Sequence, residues 1–137
     1  IHHPLCPTQT HPNSPYQVIC HCLTCQKLTA SAFSTNLFIP KPSLTVLSGE
    51  DVLRTYTHPH ETGFPITVHF CGTCATTLWK HGGNEKFDHY WVVQAGTLDA
   101  EGKGGLDVIR PTEEYWTSLR ASWLGNLEGM RQFREFA

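Results

Sequence analysis

The chain has 137 residues, 39% of them hydrophobic, with 10 Lys and Arg against 12 Asp and Glu and a formal net charge of −2. That length suits one globular domain with a modest core, and the charge gives no electrostatic reason to expect nucleic acid or an anionic membrane as partner. No run approaches the roughly 18 apolar residues of a membrane-spanning helix.

In chain order, residues 1–5 read as the stump of a strand and 6–15 as a loop broken by Pro7, Pro12 and Pro15. Residues 17–19 form a short strand that delivers Cys20. Residues 25–30 make about one helical turn. From 33 to 39 the chain alternates, with Phe33, Thr35, Leu37 and Ile39 on one face, until Pro40 stops it. Residues 44–47 and 52–56 flank Ser48, Gly49, Glu50 and Asp51, a hairpin signal. Strands at 66–70 and 76–80 run into and out of a second cysteine pair, and 90–95 is the last strong strand. Segments 112–116 and 129–136 read as short helices. The expected fold is mostly β, many short antiparallel strands with zinc knuckles at two strand ends.

The six cysteines carry the chemistry. Three disulfides would be the plain alternative, but Cys20, Cys22 and Cys25 are too close to pair comfortably with one another. Cys22 with Cys25, and Cys71 with Cys74, are C-x-x-C knuckles, the usual metal pattern. A redox use of C-x-x-C wants a βαβ context, which is absent. Three thiolates leave one tetrahedral position on a zinc ion open, and an open position separates catalytic from structural sites. Cys6 has no knuckle partner and reads as a free cysteine rather than a ligand.

Cys-His-Cys-Leu-Thr-Cys-Gln at 20–26 resembles the C-H-C-x-x-C-(R/Q) signature of the glutathione-dependent formaldehyde-activating enzyme family, related to centromere protein V. Phe70, Cys71, Gly72, Thr73, Cys74 and Ala75 resemble its F-C-x-x-C-(G/A) landmark. Gly96, Thr97, Leu98 and Asp99 resemble its A-G-(T/S)-L-D turn, and Tyr115-Trp116 matches an aromatic pair.

The resemblance implies an Mss4-like fold over residues 1–137, a single domain with two zinc sites. Cys20, Cys22 and Cys25 would hold a catalytic Zn2+. Cys71 and Cys74 would supply half of a four-cysteine structural Zn2+ site, whose other half in the family is an early C-x-C pair. No C-x-C precedes Cys20 here, and the expectation is a pair upstream of Ile1. The implied reaction is carbon–sulfur lyase chemistry of the S-hydroxymethylglutathione synthase kind, on glutathione or another thiol adduct, in the cytoplasm. Zinc with three thiolates is a weak Lewis acid, yet it binds an incoming thiol as thiolate and makes it a nucleophile near neutral pH.

Nine histidines offer proton carriers. His21, His69 and His81 are candidates by position, while His58 and His60 lie in a loop that is a lid or plain surface. Ser31 and Phe33 are candidate pocket residues, with Phe33 reading better as core. Trp79, Trp91, Trp116 and Trp123 read as packing. The competing function is a non-catalytic zinc-stabilised protein- or chromatin-binding module. Its chromatin form wants basic runs that are missing, and its protein-binding form needs no open metal position.

Overall fold

The structure, a computed structural model, describes residues 14, 16–100 and 103–137. The expected strand at 1–5 and the positions of His2, His3 and Cys6 lie outside the described residues. The chain runs β1 (Gln17–Cys20), α1 (Leu23–Thr29), β2 (Ser34–Pro40), β3 (Leu53–Pro59), β4 (Pro65–Cys71) and β5 (Thr77–Gly82). It continues as β6 (Tyr90–Gln94), β7 (Asp99–Ala100), β8 (Lys103–Gly104), β9 (Glu113–Tyr115) and β10 (Arg131–Gln132). Eight strands form one sheet in the order β10-β9-β1-β2-β6-β5-β4-β3, and β7 pairs with β8 alone. The sheet is mixed: β1 runs parallel to β9 and β9 to β10, while the other neighbours are antiparallel. The fold is therefore mostly β, but not the all-antiparallel one expected.

Three local expectations are corrected. Residues 44–47 form no strand, and β3 pairs with β4 from Leu53 opposite Cys71 to Pro59 opposite Pro65. The turn at 48–51 leads into β3 through a 3-10 turn instead of closing a hairpin. Segments expected as helices at 112–116 and 129–136 contain β9 and β10. Glu113 and Glu114 favour helix locally, but their backbone is captured by β1, with Val18 opposite Glu113 and Ile19 opposite Glu114. Their carboxylates are buried against Arg131 and Arg120, and those ion pairs keep the tail in place.

Side chains alternate across a strand, so register sorts residues between the two sheet faces. Lys80 lies opposite Val68 and Val92, Val92 opposite Phe38, and Cys20 opposite Ser34 and Tyr115. Val18, Cys20, Phe38, Val92 and Tyr115 belong to one buried cluster, which also holds Cys22, Cys25 and Phe87. Their strand neighbours Leu37, Ile39, Trp79 and Val93 belong to the other cluster. One face thus carries the first cysteine group, and the other builds an apolar core. Gln94 leads into the turn of Ala95–Thr97, where Leu98 N donates to Ala95 O and Thr97 Oγ1 to Gln94 O.

Candidate metal centre

Cys20 ends β1, and the chain turns through His21 so that Cys22 caps α1. The Cys22 sulfur accepts from Cys25 N at 3.3 Å, satisfying one of the N–H groups a helix start leaves unpaired. One turn of helix returns Cys25 to the same side. Gln26 locks the bend, its Nε2 donating to His21 O at 2.7 Å and Leu119 O at 3.0 Å. All three cysteines are buried, and their sulfurs lie within 4.8 Å of one another. Zinc–thiolate bonds of about 2.3 Å at tetrahedral angles would set sulfurs about 3.8 Å apart, so the donor set fits such an ion.

The thiols polarise one another. Hydrogen bonds from Cys20 and then Cys22 hold the Cys25 thiol well below its ordinary value against burial, with the Lys80 charge and Ser34 adding to them. Cys20 is pushed well up by its bonds to Cys22 and Cys25, then by burial. For Cys22 the bond with Cys20 pulls down, but the bond with Cys25, burial and the Cys25 charge together push it up. The cluster is thus disposed to carry one thiolate, and a bound divalent ion would favour ionising the rest.

The sulfurs line a small cavity of about 30 Å³. Phe38, Phe87, Val92 and Phe136 give it apolar walls, and Asn36, His60, Lys80 and Tyr115 are its lining residues with polar side-chain groups besides the cysteines. Lys80 Nζ donates to Asn36 Oδ1 at 2.9 Å, with both residues buried. Neither Lys80 nor Asn36 stood out in the sequence. Their alternation with Leu78 and with Phe38 on apolar strands was the available signal.

Of the histidines, the structure brings His60 to the cysteines. Its Nε2 lies 3.4 Å from Cys22 Sγ and 3.1 Å from Glu61 Oε2. Cys22, His60 and Glu61 form a second group of ligand-type atoms within 4.8 Å, sharing only Cys22 with the first. His60 therefore flanks the three sulfurs instead of closing their tetrahedron. Burial holds its ring below the ordinary histidine value, although Glu61 pulls the other way. Burial would raise Glu61, but hydrogen bonds from its own backbone and from Thr24 hold it below the usual carboxylate range. Thr24 N and Oγ1 donate to that carboxylate at 2.5 and 2.8 Å, so the loop after β3 is clamped onto the first turn of α1. The loop holding His60 is neither plain surface nor detached.

The other candidates sit elsewhere. His21 is fully buried and faces Glu114 Oε1 at 3.5 Å without hydrogen-bond alignment. His69 and His81 meet at 3.3 Å among Trp79 and Trp91, on the opposite sheet face. His58 is part of exposed β3, stacked on Tyr56. Ser31 is exposed, and Phe33 packs on His21 and lines a separate groove. Trp79, Trp91 and Trp116 pack as expected, but Trp123 is 77% exposed.

The second knuckle is a hairpin tip between β4 and β5. Ala75 N donates to Cys71 O, Cys71 N to Thr76 O, and Ala75 takes a left-handed conformation to make the turn. Gly72 fits because a Cβ there would come within 2.9 Å of Val52 O. Cys71 is buried and Cys74 exposed. Among the described residues this pair belongs to no group of three ligand-type side chains within 4.8 Å.

Both cysteine clusters, the turn at 96–99 and Tyr115-Trp116 fall inside the span 7–119 that matches a family described as glutathione-dependent formaldehyde-activating enzyme. A search of curated proteins found no match. Phe136, which walls the cavity, lies beyond the matched span. With most of its length matched and the three-sulfur site inside the matched span, the chain belongs to the glutathione-dependent formaldehyde-activating enzyme family.

Proposed function

We propose that the chain is a zinc-dependent carbon–sulfur lyase-type enzyme that joins formaldehyde to glutathione or a related small thiol, in a single Mss4-like domain. The observation that carries this reading is the convergence of Cys20, Cys22 and Cys25 on one small buried cavity beside His60. Zinc held by these cysteines would supply an electrophilic position at which an incoming thiol ionises near neutral pH.

The protein's own groups do the remaining work. His60 Nδ1 accepts from Thr62 N at 3.2 Å, which leaves the neutral ring's proton on Nε2 beside Glu61, placed to be given to the product oxygen and replaced by the thiol proton. The apolar walls exclude bulk water, which would otherwise compete for the aldehyde carbon. The His60 geometry also supports an enzyme over a closed structural site, since its ring nitrogen is not gathered with all three sulfurs. Cys71 and Cys74 would serve a separate structural zinc, with further ligands from outside the described residues. We place this chemistry in the cytoplasm; among the described residues no helix is long and apolar enough to cross a membrane.

The test is metal content of the purified protein alongside glutathione-dependent formaldehyde consumption. Bound zinc with thiol-dependent turnover is expected. A metal-free protein with a disulfide among Cys20, Cys22 and Cys25, or a zinc-loaded one inert towards every small thiol with formaldehyde, would overturn the reading.

A further inference from the structure

Lys80 is an unusual tenant of this cavity. A lysine is rarely buried without a partner, yet Lys80 is 4% exposed on a strand whose neighbours Leu78 and Trp79 are apolar and buried. An ammonium has three N–H donors, and among the described residues Asn36 Oδ1 takes a bond from it. Asn36 is fixed in turn, donating from Nδ2 to Ser34 Oγ at 2.8 Å and accepting weakly from Gln94 at 3.4 Å. Its amide therefore holds the lysine head in one place while leaving donors for a further acceptor. Those donors share one small cavity with the three sulfurs.

Resting on the function proposed above, we infer that Lys80 is the residue that binds the oxygen of a one-carbon carbonyl substrate, with Asn36 as its positioning partner. As the thiolate sulfur bonds to the carbonyl carbon, the C=O π pair moves onto oxygen. Lys80 meets that growing negative charge in a water-poor site, where a placed cation is most effective. The proton lost by the thiol returns to the oxygen, so thiol plus formaldehyde gives the hydroxymethyl thioether and needs no other reactant. The simpler alternative is that Lys80 only offsets the charge of the cysteine cluster, since its charge is felt at Cys25.

Formate separates the two, being a one-carbon anion whose oxygens imitate the alkoxide. The full chain loaded with cobalt(II) in place of zinc would be titrated with formate, following the cobalt absorption bands and counting cobalt per chain. Wild type should bind formate, and Lys80→Met should retain its cobalt while weakening formate by about tenfold or more, the scale of a charged hydrogen bond. Asn36→Ala keeps the cation but frees it, and should weaken formate severalfold with cobalt unchanged. The inference is overturned if wild type ignores formate, if Lys80→Met binds it equally well, or if that variant loses cobalt in proportion. The Asn36→Ala result decides the matter should Lys80→Met not fold. Formate binding that depends on Lys80 in a protein without thiol–formaldehyde turnover would sink the proposed reaction and leave this assignment standing.

Discussion

The two C-x-x-C knuckles have the same spacing and opposite settings. Cys22 and Cys25 open a helix whose first turn is clamped by Glu61, and a third sulfur arrives from the adjoining strand. Cys71 and Cys74 cap a hairpin, one sulfur buried and the other exposed, with Thr73 N donating to Cys71 Sγ at 3.4 Å. The first knuckle opens onto a cavity and the second onto the end of a sheet. Spacing alone says that a metal could bind. The element carrying the knuckle says whether anything else can reach it.

The sharpest way to break this comparison is to damage each knuckle in turn. Cys22→Ser should abolish thiol-dependent turnover while moving Tm by no more than a few degrees, because the site face keeps its aromatic packing. Cys71→Ser should do the reverse. Structural zinc contributes on the order of 10–16 kcal/mol in small zinc-finger peptides, so if Cys71 and Cys74 hold the second zinc proposed above, losing even part of that should lower Tm by more than about 10 °C. Turnover measured on the fraction still folded should persist. Metal counts and thermal melts on both variants would decide it, and equal loss of fold in the two would erase the distinction.

The next effect concerns how the first knuckle is held from behind. Glu114 is fully buried beneath it, facing His21 and paired with Arg120, which also reaches Gln132 on the C-terminal tail. Removing one member of a buried pair strands the other charge, at a cost of about 3–5 kcal/mol. Arg120→Ala should therefore destabilise the fold by roughly that amount in denaturant unfolding, whereas Arg54→Ala, on the exposed β3 edge, should stay within about 0.5 kcal/mol. A mild Arg120→Ala would mean the tail is not what braces the knuckle.

How much of this was readable beforehand follows from the range of each interaction. β2, β4, β5 and β6 are written as runs of alternating apolar residues, and the three-cysteine cluster as local spacing. β9 and β10 are not, because Glu113, Glu114 and Arg131 take their conformation from partners far away in sequence. His60, Glu61 and Lys80 are also non-local members of the site. His60 lies 38 residues from Cys22, and nothing in the run His58-Pro59-His60-Glu61 distinguishes which histidine faces inward. The hairpin expected across 48–51 is absent although β3 is the edge strand with one side open: Leu44 and Val46 instead pack against the apolar core.

The smallest effect tests the sheet face away from the cysteines, where histidines do structural work. Burial, then the nearby charge of His81, holds His69 down to about 4 from an ordinary 6.5. Burial and Lys41 hold His81 below its ordinary value, with Asp88 opposing them. Both rings are therefore favoured neutral in the folded protein, and the unfolded chain binds protons more readily. The sign follows: their contribution is fully present above about pH 6.5 and is lost as pH falls towards about 4. Both rings are partly open to solvent, so the loss should be modest, a few degrees of Tm between pH 7 and pH 4.5. His81→Asn removes one of the two titrating groups and should flatten that slope relative to wild type, while leaving zinc content and thiol-dependent turnover unchanged. Melts across the pH series for the two proteins give the answer. A slope unaltered by His81→Asn would mean acid unfolding is governed by the carboxylates, and turnover that fell with it would mean the two faces of the sheet are not independent.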